Sequence, residues 1–83
     1  MDRDTRERVG ANVRAEIARK GRHQKDAAEY LGTSQQNLSR RLLGHVPFTA
    51  TELLELAHFL AVDITAFGVE VQEEVGYVLR ERV

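Results

Sequence analysis

Apolar residues recur along this chain at helical spacing, in short segments punctuated by glycine. Val9, Val13 and Ile17 fall at i, i+4 and i+8 and predict a first helix from about residue 5 to Lys20, stopped by Gly21. Asp4, with Glu7 three residues on, has the spacing of a capping box for it. Ala27, Ala28 and Leu31 mark the inner face of a second helix, Gln24–Leu31, ended by Gly32. Ser34 offers an N-cap for a third helix running to about Leu43, with Leu38 and Leu42 inward and Gly44 as the stop. Thr49 and Glu52 form a second capping box. Leu53, Leu56, Ala57 and Leu60 follow at i, i+3, i+4 and i+7, the strongest amphipathic signal in the chain. Asp63 caps one short fifth turn over Ile64–Phe67, closed by Gly68.

From Val69 onward the pattern divides. Val69, Glu70, Val71 and Gln72 alternate like a strand, whereas Val75, Val78, Leu79 and Val83 fall on one helix face. Glu73 and Glu74 ahead of that face and Arg80 and Arg82 at its end would complement a helix dipole. Gly76 inside it costs about 1 kcal/mol relative to alanine. The reading adopted is a helix after a short extended link. The expected fold is all-α: a five-helix domain over residues 1–68, then a C-terminal extension over 69–83. The apolar stripe Val71, Val75, Val78 and Leu79 would either pack on the protein's own core or form a dimer interface.

Length and composition narrow the function classes. The 83 residues suit one domain, and a chain this short buries only about 60% of its unfolded surface. So small a core leaves little room for a substrate pocket, which argues against an enzyme. Cysteine is absent, which excludes disulfides and thiolate metal sites. Small secreted domains often rely on disulfides, so the expected location is the cytoplasm. The sequence shows no signal-peptide pattern and no apolar run near the roughly 18 residues of a membrane span.

The net charge of −1 hides an asymmetry. Residues 1–47 carry ten Lys or Arg against six Asp or Glu, and residues 48–83 carry two against seven. Phosphate binding follows the local basic footprint and not the total. A basic front half and an acidic back half fit a module that presents one face to DNA.

The stretch Gln24–Gly44, QKDAAEYLGTSQQNLSRRLLG, joins two short helices through a tight glycine turn, the pattern of a helix-turn-helix. Ala28 is small where the helices would cross. The outer face of the third helix carries Gln35, Gln36, Asn37, Ser39, Arg40 and Arg41, with no carboxylate between Gln35 and Gly44. Glutamine and asparagine pair bidentately with adenine in the major groove, and arginine with guanine. An ordinary solvated helix would mix Glu with its basic residues, so an acid-free, amide-rich face favours DNA over plain surface.

Arg14, Arg19, Lys20, Arg22 and Lys25 surround the junction of the first two helices. They suit phosphate contacts, Arg22 and Lys25 best, or else form a solvated face with Glu16 and Glu29. The start of the second helix near Gln24 adds free N–H groups that suit a phosphate. Glu52, Glu55 and His58 have the spacing of half a bundle-type metal site, but a second Glu-x-x-His pair is missing, and a solvated ridge is the better reading. His23 and His45 are far apart in sequence, and no phosphate loop or nucleophile motif occurs. No metal, cofactor or small-molecule ligand is expected.

Across Gln24 to Phe67 the chain resembles the Cro and phage lambda repressor group, the XRE-type regulators. The resemblance lies in Gln24, Ala28, Leu31-Gly32, Ser34-Gln35, Leu38-Ser39-Arg40, Gly44 and Pro47, then Leu56-Ala57, Leu60 and Asp63-Ile64. With the first helix it covers roughly residues 5–67. It implies a five-helix, lambda-repressor-like domain that binds a two-fold operator in double-stranded DNA as a homodimer. It also implies that Gln24 and Gln35 lie near the backbone and base edges, with Gln36, Asn37 and Arg40 as principal readers.

Together, residues and resemblance give Gln35, Gln36, Asn37, Arg40 and Arg41 as base-reading candidates. The phosphate candidates are Arg22, Gln24, Lys25, Ser34 and Ser39. The expected function is transcriptional repression of phage or mobile-element type, and the rival is an antitoxin-like protein-interaction module on the same fold. The chain departs from the group's pattern at three places. Arg22-His23 supplies no usual N-cap for the second helix, Leu42 replaces a frequently acidic residue, and Ala61 stands where glycine commonly ends the fourth helix.

Overall fold

The computed structural model describes residues 2–72 and 76–79. Four α-helices lead the chain: α1 (Arg3–Arg19), α2 (Gln24–Leu31), α3 (Gln35–Leu42) and α4 (Ala50–Leu60). A 3-10 turn, η1, follows over Ile64–Phe67, and two short strands close the described chain, β1 (Val69–Gln72) and β2 (Gly76–Leu79). Helix α1 packs on α3 and η1, while α2 packs on both α3 and α4.

The apolar stripes meet as the spacing predicts. Val9, Val13 and Ile17 of α1 converge with Leu38 and Leu42 of α3 and with Leu53, Leu56 and Leu60 of α4 in one buried core. Phe48, Ile64 and Phe67 complete it from the loops and η1. Phe67 is fully buried. The Asn12 amide donates to its carbonyl at 3.3 Å, tying η1 back to α1.

Helix ends follow local chemistry, with three departures from expectation. Helix α1 begins earlier than read, because Asp2 and not Asp4 is its N-cap: the Asp2 carboxylate accepts the Thr5 N–H at 2.7 Å. Glu7 is not a capping partner and accepts instead from Arg3 Nε at 3.0 Å, one turn away. The Thr49–Glu52 capping box on α4 is present in full. Ala61 then adopts φ 54°, the left-handed conformation that glycine fills without strain. The fifth segment, capped by Asp63, is a single 3-10 turn and not an α-helix.

The tail corrects the third expectation. Among the described residues it forms an antiparallel pair and not a helix, with Val69 opposite Leu79, Glu70 opposite Val78, Val71 opposite Tyr77 and Gln72 opposite Gly76. The physical reason lies at the start of each strand. Val69 is buried in the core, which fixes the chain in extended form directly after η1, and the alternation of residues 69–72 then sets a period of two. Glycine at position 76 weakens the competing helix. Val71, Val78 and Leu79 are thus paired positions of a β ladder and not turns of one helix. Val75, Val83 and the dipole-complementing Glu73, Glu74, Arg80 and Arg82 lie outside the described residues.

Candidate nucleic-acid interface

Helix α3 is held on three sides before any outer residue is considered. Ser34 has extended backbone, and its hydroxyl accepts the Asn37 N–H at 3.1 Å, closing the N-terminus. Leu38 and Leu42 are buried beneath the helix. Its C-terminal end lies against α1 at Gly10, where a Cβ would sit 2.2 Å from the Leu42 carbonyl oxygen and 2.8 Å from that of Arg41. Only a residue without a side chain permits that approach. Gly44 completes the stop at φ +83°, where a Cβ would also meet the Glu7 backbone at 2.8 Å. Arg6 Nε donates to the Gly44 carbonyl at 3.0 Å.

The remaining face of α3 points to solvent. Gln35, Gln36, Asn37 and Arg40 are exposed, and Ser39 is half-buried. The Asn37 amide donates to the Thr33 hydroxyl at 3.4 Å, a long bond that leaves its carbonyl oxygen available. The side chains of Gln35, Gln36 and Arg40 make no hydrogen bond or ion pair among the described residues. The row therefore offers amide and guanidinium groups that, Asn37 apart, have no side-chain partner among the described residues.

Arg41 differs from its neighbours. Its Nε lies 3.2 Å from both Glu52 carboxylate oxygens, and its Nη1 donates to the Asn37 carbonyl at 3.2 Å. Glu52 was visible in the sequence as a capping residue, but nothing in its local pattern points across to α3. Gly10 escaped notice too, since a lone glycine inside a helical pattern says nothing of what approaches it.

The N-terminus of α2 forms the second part of the surface. His23 is extended and makes no side-chain cap, as the missing Ser or Thr foretold. Gln24 is half-buried, while Arg22 and Lys25 are exposed. The Arg22 guanidinium stands 4.7 Å from the centre of the Phe59 ring on α4, a cation–π distance. Tyr30 packs on the same ring at 5.0 Å, with His58 at 6.4 Å from Tyr30. Of the other basic residues near this junction, Arg19 pairs with Glu16, which holds its guanidinium above its ordinary pKa. Arg14 and Lys20 are exposed.

The structure thus brings Ser34, Gln35, Gln36, Asn37, Ser39 and Arg40 together on one short helix and its cap. Arg22, Gln24 and Lys25 sit at the start of the helix packed beside it. The tail residues Val71, Val78 and Leu79 lie in the antiparallel β1–β2 pair.

Comparison with known proteins agrees with this architecture. No curated protein sequence matches the chain. Among solved structures, the clp gene regulator ClgR from C. glutamicum is similar at 27% identity with a TM-score of 0.71. The match covers 76% of this chain and 82% of that one. A family model described as helix-turn-helix matches residues 13–67, which span the end of α1, the α2–α3 pair, α4 and η1. With four helices in that order and more than half of its length matched, the chain belongs to the XRE-type helix-turn-helix family.

Proposed function

We propose that this chain is a sequence-specific DNA-binding transcriptional regulator, a cytoplasmic homodimeric repressor of phage or mobile-element type. One observation carries the reading: the exposed face of α3 holds Gln35, Gln36, Asn37 and Arg40 with no carboxylate among them, on a helix whose both ends are fixed. Amide and guanidinium groups on a rigid helix are what base-edge recognition requires, since each bidentate contact needs two donor or acceptor atoms placed together. Membership of the helix-turn-helix family and likeness to a clp gene regulator support the same class of function.

In this reading α3 enters the major groove and α2 lies across the backbone. Arg22, Gln24, Lys25, Ser34 and Ser39 contact phosphates, which sets register without reading sequence. The uncapped N–H groups at Gln24 and Lys25 add partial positive charge at the same place. A single module of this size has limited affinity. A dimer on two half-sites combines the binding energy of both, and the 69–83 tail, with Val71, Val75, Val78 and Leu79, supplies its contact.

The test is selection of binding sites from randomised duplex DNA at two salt concentrations. The expected result is a two-fold symmetric site with half-sites about one helical turn apart. Weak, salt-sensitive binding without enrichment of any sequence would overturn the reading and favour a protein-interaction module.

A further inference from the structure

The geometry points to Arg41 and Glu52 as a positioning pair that sets how α3 is presented to DNA; we infer that Arg41 acts on recognition without reading a base. The inference rests on the DNA-binding reading and refines it. Neighbouring residues on a helix project about 100° apart, so Arg40 and Arg41 cannot serve the same face equally. Arg40 is exposed, whereas the Arg41 and Glu52 side chains are only 23% and 22% exposed.

The connections run in a line. Arg41 Nη1 donates to the Asn37 carbonyl in the middle of α3, and its Nε meets both Glu52 oxygens at 3.2 Å. Glu52 Oε1 in turn accepts the Thr49 N–H at 2.8 Å, at the cap of α4. Four groups therefore join the third and fourth helices across the loop 43–49. Planar guanidinium against carboxylate is the charged pair with the strongest directional preference, and partial burial reduces screening by salt. With Nε and Nη1 both engaged, the Nε edge of the guanidinium is committed within the protein, which leaves Arg41 fewer donors to offer a base than Arg40 has. The α1–α3 contact at Gly10 fixes one side of α3, and the Arg41–Glu52 pair fixes the side towards α4. Together they set the tilt at which Gln35, Gln36, Asn37 and Arg40 meet base edges.

The test uses the full chain with Arg41→Gln, Glu52→Gln and the double variant. Glutamine at 52 keeps an oxygen for the Thr49 N–H, so the cap survives while the charge is lost. Binding to the selected operator and to unrelated duplex is measured at several salt concentrations, at a temperature where circular dichroism shows each variant folded. Each single variant is expected to lose about tenfold in operator affinity relative to unrelated DNA, and the double no more than either, the mark of one shared interaction. The preferred sequence and the salt slope stay unchanged. A purely structural role would instead lower the melting temperature and leave the affinity ratio of folded protein as it was.

Relaxed preference at one base pair in Arg41→Gln would make Arg41 a reader. A slope reduced by about 0.9 would make it a phosphate contact. Glu52→Gln behaving as the parent while Arg41→Gln does not would also overturn the pair. If the parent enriches no sequence, the DNA reading fails by itself, and the pair is then tested in free protein by amide exchange. Both variants should exchange faster at Leu42 and Leu43, and unchanged exchange would refute the link.

Discussion

Helices α2 and α3 have the same length, eight residues each, and pack side by side, yet their ends are built differently. The N-terminus of α3 is closed by Ser34, and its C-terminus is pressed against α1 at Gly10. The N-terminus of α2 is left without a side-chain cap at His23. Helices this short are not stable alone, so each depends on what holds its ends and inner face. The difference teaches a division of labour. The helix with the acid-free outer face is fixed at both ends by the protein, whereas its neighbour has no side-chain cap at its N-terminus, where the proposed function puts a phosphate.

Removal of what lies under α3 tests that contrast most severely. Leu38 has no solvent exposure, so Leu38→Ala should cost about 2–5 kcal/mol in urea unfolding. A smaller loss would mean that α3 collapses onto the core without its central anchor. Gly10→Ala comes next. Alanine in an ordinary helix interior gains about 1 kcal/mol over glycine, but here the new Cβ meets backbone oxygens that cannot rotate away. Overpacking of this kind costs about 1–3 kcal/mol, so a net loss of up to about 2 kcal/mol is expected. An increase in melting temperature would show that α1 and α3 can part without penalty.

The two caps provide the finer comparison. Ser34→Ala should lose about 1 kcal/mol by leaving the Asn37 N–H without its acceptor. His23→Asp should gain up to about 1 kcal/mol by supplying α2 with the missing cap. Under the proposed function the same change should also weaken DNA binding, because a carboxylate would then stand where that reading puts a phosphate. A variant that gains stability and keeps full affinity would show that α2 does not meet the backbone there.

The smallest effect concerns pH. Hydrogen bonds from the Thr5 backbone N–H, and then from its hydroxyl, hold the Asp2 carboxyl below its ordinary pKa. Thr65 does the same for Asp63. A carboxyl whose pKa is lowered on folding contributes stability above its unfolded value and loses it as pH falls through the lowered one. Thermal melts should therefore show this contribution intact near neutrality and lost below about pH 4. Asp2→Asn and Asp63→Asn should make the acid side of the profile shallower. Both groups are exposed, so the change should be slight.

Much of the fold was legible because helix ends and inner faces obey short-range rules. Ser34, the Thr49–Glu52 box and Asp63 announce helix starts within a few residues, and Leu53 to Leu60 declare a buried stripe by spacing alone. Even the departures at His23 and Ala61 were visible, and the structure gives them physical form as a missing cap and a left-handed alanine. The start of α1 was misread because Asp2 and Asp4 both have cap chemistry, and only the fold of the first turn chooses between them.

The sequence by itself determined where most helices begin and end, which faces turn inward, and that α3 shows an acid-free outer surface. These follow from side-chain spacing and from backbone groups that must be satisfied within one turn. The tertiary structure alone decided that Gly10 admits the end of α3, that Arg41 turns to Glu52, and that the tail pairs as strands after Val69 enters the core. Each of these depends on a partner distant along the chain, and a local pattern of residues has no means of naming it.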